Sequence, residues 1–575
     1  MDKLWIILLL CILCSNVYAV EIPPEPASGF KSKPVIEAKQ YMVVSAHKLA
    51  SQAGDEIIRN GGNAIDAAIA TEMVLNLVEP QASGIGGGGF LLYYDKNTGK
   101  VEAYDGRETA PQAATSDMFL DKKGEPPPYL EALKGGLSVG TPGLLRMLEN
   151  VHKQHGKLPW KTLFEPAINL AEKGFSLSDR LYKVIASAPY IITSSEARVL
   201  YFNQDGSIKP VGTIIKNPIF ADTLRQIAKG GADVFYQGNI AKSIVTIVHN
   251  NPFHPGRLSE KDLANYQSVE RQAICTNYRD YKLCGMPPPT SGSLTVLQSL
   301  KLLGRFDLKK LKYNSPEAVH LIMEAERLAF ADRNKYVADC DFIPVPVTGM
   351  LSPEYVKQRS LLINSDKALQ NVQPGEISWD KSCGKINPAH EHSSTSHMSI
   401  VDNEGNAVSM TSSIEYSFGS ALMVKGFFLN NELTDFSLKP EINGEKVANH
   451  IEPGKRPRSS MAPMLVFNHQ GLYMLIGSPG GSRIISYVLQ TIVSVLDWHI
   501  PLNDAINQPH YATTGNEIEL EQGTSAINQF SAALNKLGHK VIISDLTSGL
   551  HGIEIKDHRL FSGVDARREG AAVGQ

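Results

Sequence analysis

The sequence predicts a layered α+β fold, and two observations carry this prediction. Between about residues 140 and 340, apolar residues recur at helical spacing and predict amphipathic helices with few strands between them. Beyond residue 395 the pattern changes to short strands in hairpin pairs, with helical stretches near residues 484–497 and 525–538. Because a sheet must bury its apolar face against another element, strands with flanking helices predict stacked layers.

The N-terminus has the pattern of a signal peptide. Residues 1–3 are weakly basic, residues 4–14 are mostly apolar, and residues 17–19 end in Ala19 with small side chains where a signal peptidase reads. We expect cleavage after Ala19 and a periplasmic or secreted protein. The alternative is an uncleaved membrane anchor, but the apolar stretch is at the short limit for a helix that spans a bilayer.

Two helices are predicted next, over residues 49–60 and 63–77, with a pair of glycines between them. Asn63 can cap the second helix, because Asp66 follows three residues later in the pattern of a capping box.

The tract at residues 83–90 contains glycines in the GxGxxG spacing of dinucleotide-binding loops. That fingerprint leaves a strand and opens a helix, whereas here a helix leads in and a strand leads out. We therefore expect these glycines to allow close backbone packing beside a site instead of binding a nucleotide.

The helices of the central region are predicted at 142–155, 163–173, 218–229, 240–250, 294–303 and 316–334. Cys275 and Cys284 flank a predicted hairpin turn at residues 278–280, and an exported chain permits a disulfide between them. The other cysteines of the chain after the signal peptide are Cys340 and Cys383.

Three hairpins are predicted beyond residue 395, pairing 397–401 with 407–413, 464–468 with 472–477, and 552–556 with 559–563. Thr395 lies where the first of these strands begins. A threonine hydroxyl becomes a nucleophile when a base removes its proton, and a free α-amine on the same residue can be that base. Thr395 has such an amine only if the chain is cut before it. By itself, a stretch this rich in hydroxyl groups is more often a solvated loop.

A glycine-rich loop at residues 477–483 joins a strand to the following helix. Such a loop can direct unpaired backbone N–H groups at one point, which suits an oxyanion that forms during a reaction. The alternative is a tight turn without a catalytic role.

Composition excludes several classes of protein. The chain has 575 residues, 42% of them hydrophobic, and a net charge of −3, so neither nucleic acid nor an anionic membrane surface is an expected partner. The predicted signal peptide contains Cys11 and Cys14. After it, no CxxC or HExxH spacing occurs in the sequence, and we expect no metal site and no cofactor.

Four stretches in order along the chain resemble the γ-glutamyltransferase (γ-glutamyl transpeptidase) family: residues 83–90, Thr395-Ser396-His397, residues 429–437, and residues 458–461 with 477–481. The resemblance implies an N-terminal-nucleophile hydrolase fold, a four-layer αββα sandwich. It also implies a precursor that cuts itself between Ser394 and Thr395. The large chain, 20–394, and the small chain, 395–575, would remain together as a heterodimer.

The resemblance also implies a set of site residues. Thr395 would be the nucleophile, Ser413 a hydroxyl that hydrogen-bonds it, and the N–H groups of Gly480 and Gly481 the oxyanion hole. The donor's α-carboxylate would be bound by Arg107, Ser459 and Ser460, and its α-ammonium by Glu432 and Asp435.

Two features depart from the family pattern. Glu415 stands where members usually have asparagine near the ammonium, so three carboxyl groups are expected around one positive charge, and one of them is expected to hold a proton in the empty site. The segment 438–455 is shorter than in members with a lid over the site, and it has no tyrosine to act as a latch.

The expected activity is cleavage of glutathione and other γ-glutamyl donors, with transfer to water or to amino-acid or dipeptide acceptors. One alternative is a related enzyme that acts on poly-γ-glutamate or on glutaryl amides, including a glutaryl-cephalosporin side chain. Arg107 favours a donor with an α-carboxylate. The other alternative, a non-catalytic exported binding protein, is disfavoured by the intact Thr395, Ser413, Gly480 and Gly481.

Overall fold

The computed structural model describes residues 27–252, 254–377, 394–442 and 444–575. The predicted signal peptide and Cys383 lie outside these residues. Among the described residues, no helix has both the length and the apolar character needed to cross a bilayer.

In chain order the strands are β1 (Glu37–Ala38), β2 (Met42–Ser45), β3 (Gly88–Asp95), β4 (Lys100–Asp105), β5 (Phe175–Ser176), β6 (Ile214–Ile215), β7 (Val269–Gln272), β8 (Ile274–Tyr278), β9 (Tyr281–Gly285), β10 (Ser394–Val401), β11 (Ala407–Glu415), β12 (Met423–Val424), β13 (Phe427–Phe428), β14 (Glu441–Ile442), β15 (Glu445–Lys446), β16 (Met464–Asn468), β17 (Gly471–Gly477), β18 (Tyr511–Ala512), β19 (Glu517–Glu521), β20 (Lys540–Ser544), β21 (His551–Lys556), β22 (Arg559–Val564) and β23 (Ala571–Gly574).

The α-helices are α1 (Lys48–Arg59), α2 (Ala64–Val78), α3 (Tyr129–Ala132), α4 (Leu144–His155), α5 (Glu165–Lys173), α6 (Asp179–Ser187), α7 (Ser195–Tyr201), α8 (Pro218–Gly230), α9 (Asp233–Tyr236), α10 (Asn239–His249), α11 (Glu260–Asn265), α12 (Gly292–Leu303), α13 (Pro316–Tyr336), α14 (Val347–Met350), α15 (Pro353–Ser360), α16 (Ile484–Trp498), α17 (Leu502–Ile506) and α18 (Ala526–Leu537).

Two antiparallel seven-stranded sheets form the centre of the molecule. The first has the strand order β23-β2-β10-β11-β3-β4-β7, and the second has the order β1-β22-β21-β17-β16-β9-β8. They face each other where β10 and β11 cross β17 and β21. Apolar side chains of both sheets, including Phe90, Leu92, Val466 and Leu475, share one buried cluster. The predicted layers are therefore confirmed.

Helices cover the outer face of each sheet. Helices α1, α2 and α4 pack against the first sheet, and α12 and α16 pack against the second. Helix α2 is buried along its whole length, because other helices cover the side that faces away from the sheet. Its start is confirmed: Asn63 and Asp66 form the predicted capping box.

The three predicted hairpins are confirmed as β10–β11, β16–β17 and β21–β22. β16 has the predicted bounds, and the other five strands are one to three residues longer than predicted. The predicted disulfide is also confirmed, and it joins Cys275 to Cys284 directly opposite each other on β8 and β9. The sequence did not predict the sheet β18-β19-β20, whose last two strands are parallel, or the pairing of the C-terminal strand β23 with β2.

Candidate active site

The predicted site residues meet in one buried cavity between the two sheets and the loops that follow them. The cavity is narrow, with a volume of about 20 Å³. Met461 and Ile484 line it, together with every predicted site residue except Gly480. The predicted residues in the lining are Arg107, Thr395, Ser413, Glu415, Glu432, Asp435, Ser459, Ser460 and Gly481. Residues that are more than 300 positions apart in the chain thus converge on Thr395.

Thr395 and Ser413 lie opposite each other on β10 and β11, and the register shifts between Ser394 and Thr395. The Thr395 hydroxyl donates to Ser413 Oγ at 3.4 Å. Ser413 Oγ in turn donates to the carbonyl oxygen of Ser394 at 2.8 Å and accepts from the backbone N–H of Glu415. The Ser413 hydroxyl therefore contacts both the hydroxyl of Thr395 and the carbonyl of the peptide bond before it.

The side chain of Ser394 holds that peptide bond from the other side. Its hydroxyl donates to the carbonyl oxygen of Gln81 at 2.6 Å, in the turn that follows α2. Ser394 is fully buried, so the residue before Thr395 is held in place and is not solvated.

The glycine-rich loop follows β17, as predicted. Gly480 (φ 139°) and Gly481 (φ 58°) adopt backbone conformations that favour glycine, and a short 3-10 turn, Gly481–Arg483, leads into α16. A Cβ atom on Gly480 would lie 2.7 Å from the Tyr487 ring, and one on Gly477 would lie 2.3 Å from the His397 ring. Because these residues have no side chain, the backbone at Gly477 can approach β10 and that at Gly480 can pack against α16.

Arg107 is the centre of a buried ion-pair cluster. Its guanidinium contacts a carboxylate oxygen of Glu432 and donates to Asp435 Oδ2 at 2.5 Å. It also donates to the carbonyl oxygens of Pro457 and Arg458. Arg107 is only 1% exposed. Without these partners its burial would cost several kcal/mol.

Arg107, Glu432 and Asp435 therefore pair with one another. The resemblance implied that they bind opposite ends of the donor. An amino-acid head group carries one charge of each sign, the same two signs that are paired in this cluster.

Glu415 lies beside this cluster, at the end of β11. Asn431 Nδ2 contacts Glu415 Oε2, and the Tyr129 hydroxyl donates to Glu415 Oε1 at 3.2 Å. Burial and the negative charges of Asp435 and Glu432 raise the pKa of Glu415 well above its usual range. Burial and Glu432 likewise raise the pKa of Glu108, which lies 3.7 Å from Arg107. The expectation that one carboxyl group of the empty site holds a proton agrees with the direction of these shifts.

A family model described as Gamma-glutamyltranspeptidase matches residues 50–575. The glutathione hydrolase proenzyme of Bacillus subtilis (strain 168) is 37% identical over 594 aligned residues, covering 100% of this chain and 99% of the relative. The chain belongs to the γ-glutamyltranspeptidase family.

Solved structures of related proteins have the same fold. A cephalosporin acylase from Bacillus halodurans aligns with a TM-score of 0.82 at 27% identity, covering 96% of this chain and 99% of that one. The γ-glutamyltranspeptidase of Helicobacter pylori aligns with a TM-score of 0.57 at 35% identity, covering 61% of this chain and 99% of that one. The N-terminal-nucleophile hydrolase sandwich implied by the resemblance is thus confirmed for this member of the family.

Sequence reasoning missed several residues that contact the predicted site. Arg333 on α13 donates to Ser460 Oγ at 2.7 Å and to Ser291 Oγ, so it fixes one of the two serines. Tyr129 and Asn431 contact Glu415. The sequence around Arg333 and Tyr129 does not indicate a role in the site, because these residues reach the site residues only after the chain has folded.

Two groups of potential metal ligands occur among the described residues, and neither lines this cavity. In the first, His320 Nδ1 lies 2.6 Å from His539 Nε2, while Glu324 contacts Arg327 and the backbone N–H of Leu369. The second comprises Asp339, Cys340 and Asp341. Here Arg271 contacts both Asp341 and the Cys340 sulfur. In each group an arginine contacts at least one of the candidate ligand atoms.

Proposed function

We propose that this member of the family is an autoprocessed γ-glutamyltransferase that cleaves the γ-glutamyl amide of glutathione and related donors. The observation that best supports this proposal is that Ser413 Oγ hydrogen-bonds both the Thr395 hydroxyl and the carbonyl oxygen of Ser394. The buried cluster of Arg107, Glu432 and Asp435 beside Thr395 supplies both charges that an amino-acid head group requires.

Self-cleavage begins with attack of Thr395 Oγ on the carbonyl carbon of Ser394. As the C–N bond breaks, the Thr395 nitrogen gains the proton that the hydroxyl loses, and an ester forms. Water then opens the ester to give the Ser394 carboxylate and a free α-amine on Thr395. The hydrogen bond from Ser413 to the Ser394 carbonyl oxygen stabilises the negative charge that develops there.

The freed amine is the base for the second reaction. Thr395 Oγ attacks the γ-carbonyl carbon of the donor while the amine takes its proton and passes it to the leaving amine. The product is a γ-glutamyl ester of Thr395. Water resolves this ester in hydrolysis, and the amine of an amino acid or dipeptide resolves it in transfer. Backbone N–H groups of Gly480 and Gly481 would stabilise the oxyanion in both steps.

Donor binding would use both the positive and the negative side chains of the ion-pair cluster. The α-carboxylate would lie on Arg107 with Ser459 and Ser460, since a guanidinium binds a carboxylate through two parallel hydrogen bonds. The α-ammonium would lie on Glu432 and Asp435. This arrangement favours γ-glutamyl donors over the glutaryl amides of the alternative acylase reaction, because a glutaryl group keeps the carboxylate but lacks the ammonium that Glu432 and Asp435 would bind.

The test measures the release of p-nitroaniline from γ-glutamyl-p-nitroanilide and analyses the same protein sample on a denaturing gel. We expect activity together with fragments of about 40 and about 20 kDa, the shares of the 62.8 kDa chain in residues 20–394 and 395–575. The smaller fragment should begin Thr-Ser-His-Met on N-terminal sequencing. Cleavage of glutaryl-p-nitroanilide in preference to the γ-glutamyl compound would favour the acylase instead.

Replacing Ser413 by alanine should slow self-cleavage by on the order of 10²- to 10³-fold, the usual effect of losing one oxyanion donor. The half-time of conversion from single chain to two fragments, read from gels of freshly purified protein, measures this. Ser413→Thr keeps the hydroxyl and should process at close to the wild-type rate. Equal rates in Ser413→Ala and the wild type would remove Ser413 from the processing reaction.

Replacing Glu415 by asparagine should move the acidic limb of the pH profile of kcat/KM to lower pH. The pKa of Glu415 is raised, so this carboxyl gains its charge, and its attraction for the ammonium, only as the pH rises through that raised value. The variant has no such step. Profiles of γ-glutamyl-p-nitroanilide cleavage that superimpose for both proteins would mean that Glu415 does not act on the donor.

We also propose that the chain is exported, with cleavage after Ala19 as the sequence predicts. N-terminal sequencing of the large fragment should then begin at Val20. A large fragment that still carries Met1 and partitions with membranes would favour the anchor.

A further inference from the structure

The hydroxyl of Tyr129 contacts Glu415 from outside the predicted site. Tyr129 lies in the proposed large chain, while Glu415 lies in the proposed small chain. The two oxygens of the Glu415 carboxyl have different partners: Asn431 Nδ2 contacts Oε2, and the Tyr129 hydroxyl donates to Oε1. Asn431 precedes the 3-10 turn Glu432–Asp435, so it holds Glu415 from the small chain, whereas Tyr129 holds it from the large chain.

Local structure fixes Tyr129 in this position. Three prolines at residues 126–128 restrict the approach, and Tyr129 begins the short helix α3. Ala132, at the other end of α3, packs in a small apolar cluster with Leu433 and Phe436. Leu433 belongs to the 3-10 turn that carries Glu432 and Asp435. The segment with Tyr129 is therefore anchored on the turn that supplies the two other carboxyl groups.

Glu415 needs such support. Its φ is +75°, a left-handed conformation that is unfavourable for a non-glycine residue and is kept only where the surroundings impose it. Its backbone N–H donates to Ser413 Oγ at 2.9 Å. The direction of its side chain is thus set by a strained backbone at one end and by Asn431 and Tyr129 at the other.

Tyr129 remains a hydrogen-bond donor across the working pH range. Burial and the negative charges of Glu415 and Asp435 raise the pKa of Tyr129 well above its usual range. A neutral phenol can donate to Glu415 whether that carboxyl is protonated or ionised.

We propose that Tyr129 is a positioning residue that directs Glu415 at the donor's α-ammonium and thereby sets the preference for γ-glutamyl over glutaryl donors. Without the hydroxyl, one oxygen of Glu415 loses its partner and the carboxyl can turn away from the cavity. A donor with an ammonium then loses a contact, whereas a donor without one loses nothing. This inference rests on the proposed function.

The test is Tyr129→Phe, which removes one oxygen atom and keeps the ring. For γ-glutamyl-p-nitroanilide we expect KM to rise about 5- to 10-fold, the effect of one hydrogen bond to a charged or polar group, with kcat within about twofold. Glutaryl-p-nitroanilide is measured as a competitive inhibitor, so that its binding is read even where its turnover is slow. Its inhibition constant should stay within about twofold.

A double-mutant cycle with Glu415→Asn separates positioning from a direct contact. In the Glu415→Asn background, Tyr129→Phe should change neither KM nor the inhibition constant by more than about twofold, because the group that Tyr129 positions is absent. Tyr190→Phe is the matched control. Its hydroxyl donates to the carbonyl oxygen of Ser417, two residues after Glu415, and its loss should leave the preference between the two compounds unchanged.

Equal changes for both compounds in Tyr129→Phe, or a rise in KM that persists in the Glu415→Asn background, would overturn the inference. An unchanged KM in Tyr129→Phe would overturn it as well. These outcomes differ from failure of the proposed function, in which the wild type itself would not release p-nitroaniline from the γ-glutamyl compound.

Discussion

Replacement of Thr395 by alanine is expected to give a single uncut chain without activity. Thr395 would supply the hydroxyl for self-cleavage, and the same hydroxyl with the freed α-amine for donor cleavage, so one substitution removes both reactions. We expect kcat to fall by on the order of 10⁴- to 10⁶-fold, as when other hydrolases lose their nucleophile. A denaturing gel and the p-nitroaniline assay on one preparation measure both effects.

Thr395→Ser is the control for this substitution. Serine keeps the hydroxyl and, after cleavage, the amine, and it removes only a methyl group from a residue that is 4% exposed. It should still divide into two fragments and retain measurable activity. A wild-type protein that is active but uncut would contradict the mechanism, and so would a Thr395→Ala variant that still forms both fragments.

Replacement of Arg107 by alanine should have the next largest effect. Loss of a bidentate contact with the donor carboxylate should cost on the order of 2–4 kcal/mol in transition-state binding, or roughly 30- to 1000-fold in kcat/KM, mostly through a higher KM. Steady-state kinetics with glutathione and γ-glutamyl-p-nitroanilide measure it. An unchanged kcat/KM would show that Arg107 does not bind the donor.

The structure adds a second effect of this substitution. Arg107 is the cation of a cluster in which Glu432, Asp435 and Glu108 are buried around it, so its loss should also lower the stability of the fold. Arg107 is the main charge that lowers the pKa of Glu108, which burial raises. Without Arg107, the pKa of Glu108 in the folded state rises further above the pKa it has in the unfolded chain. Between these two pKa values the folded state binds more protons than the unfolded state, so this pH range becomes wider.

The free energy of unfolding of Arg107→Ala should therefore fall more steeply than that of the wild type as the pH rises from about 5 to 8. Urea denaturation at several pH values measures this. Arg107→Lys keeps the charge but not the planar pair of donors, so it should retain most of the stability and still bind donor weakly. If Arg107→Ala and Arg107→Lys were equally unstable, the charge of Arg107 would not be what holds the cluster.

The local elements were predictable from the sequence because they depend on neighbouring residues. Helix α2 follows from apolar residues after a capping asparagine, and the hairpins of β10–β11 and β21–β22 follow from alternation around a turn. The disulfide between Cys275 and Cys284 follows from the same turn geometry. By contrast, nothing near β19 and β20 indicates that these two strands pair in parallel, because α18 separates them in the chain and only packing brings them together.

For the candidate site, the order of residues along the chain is enough to identify the chemical groups: a threonine hydroxyl at a strand, a glycine loop before a helix, one arginine and several acids. How these groups pair depends on folding. Burial removes water from Arg107, Glu432 and Asp435, so their charges are compensated by ion pairs with one another. Burial also raises the pKa of Glu415 and leaves Tyr129 as one of its partners. These relations depend on distances and solvent exclusion, which a linear pattern of residues does not contain.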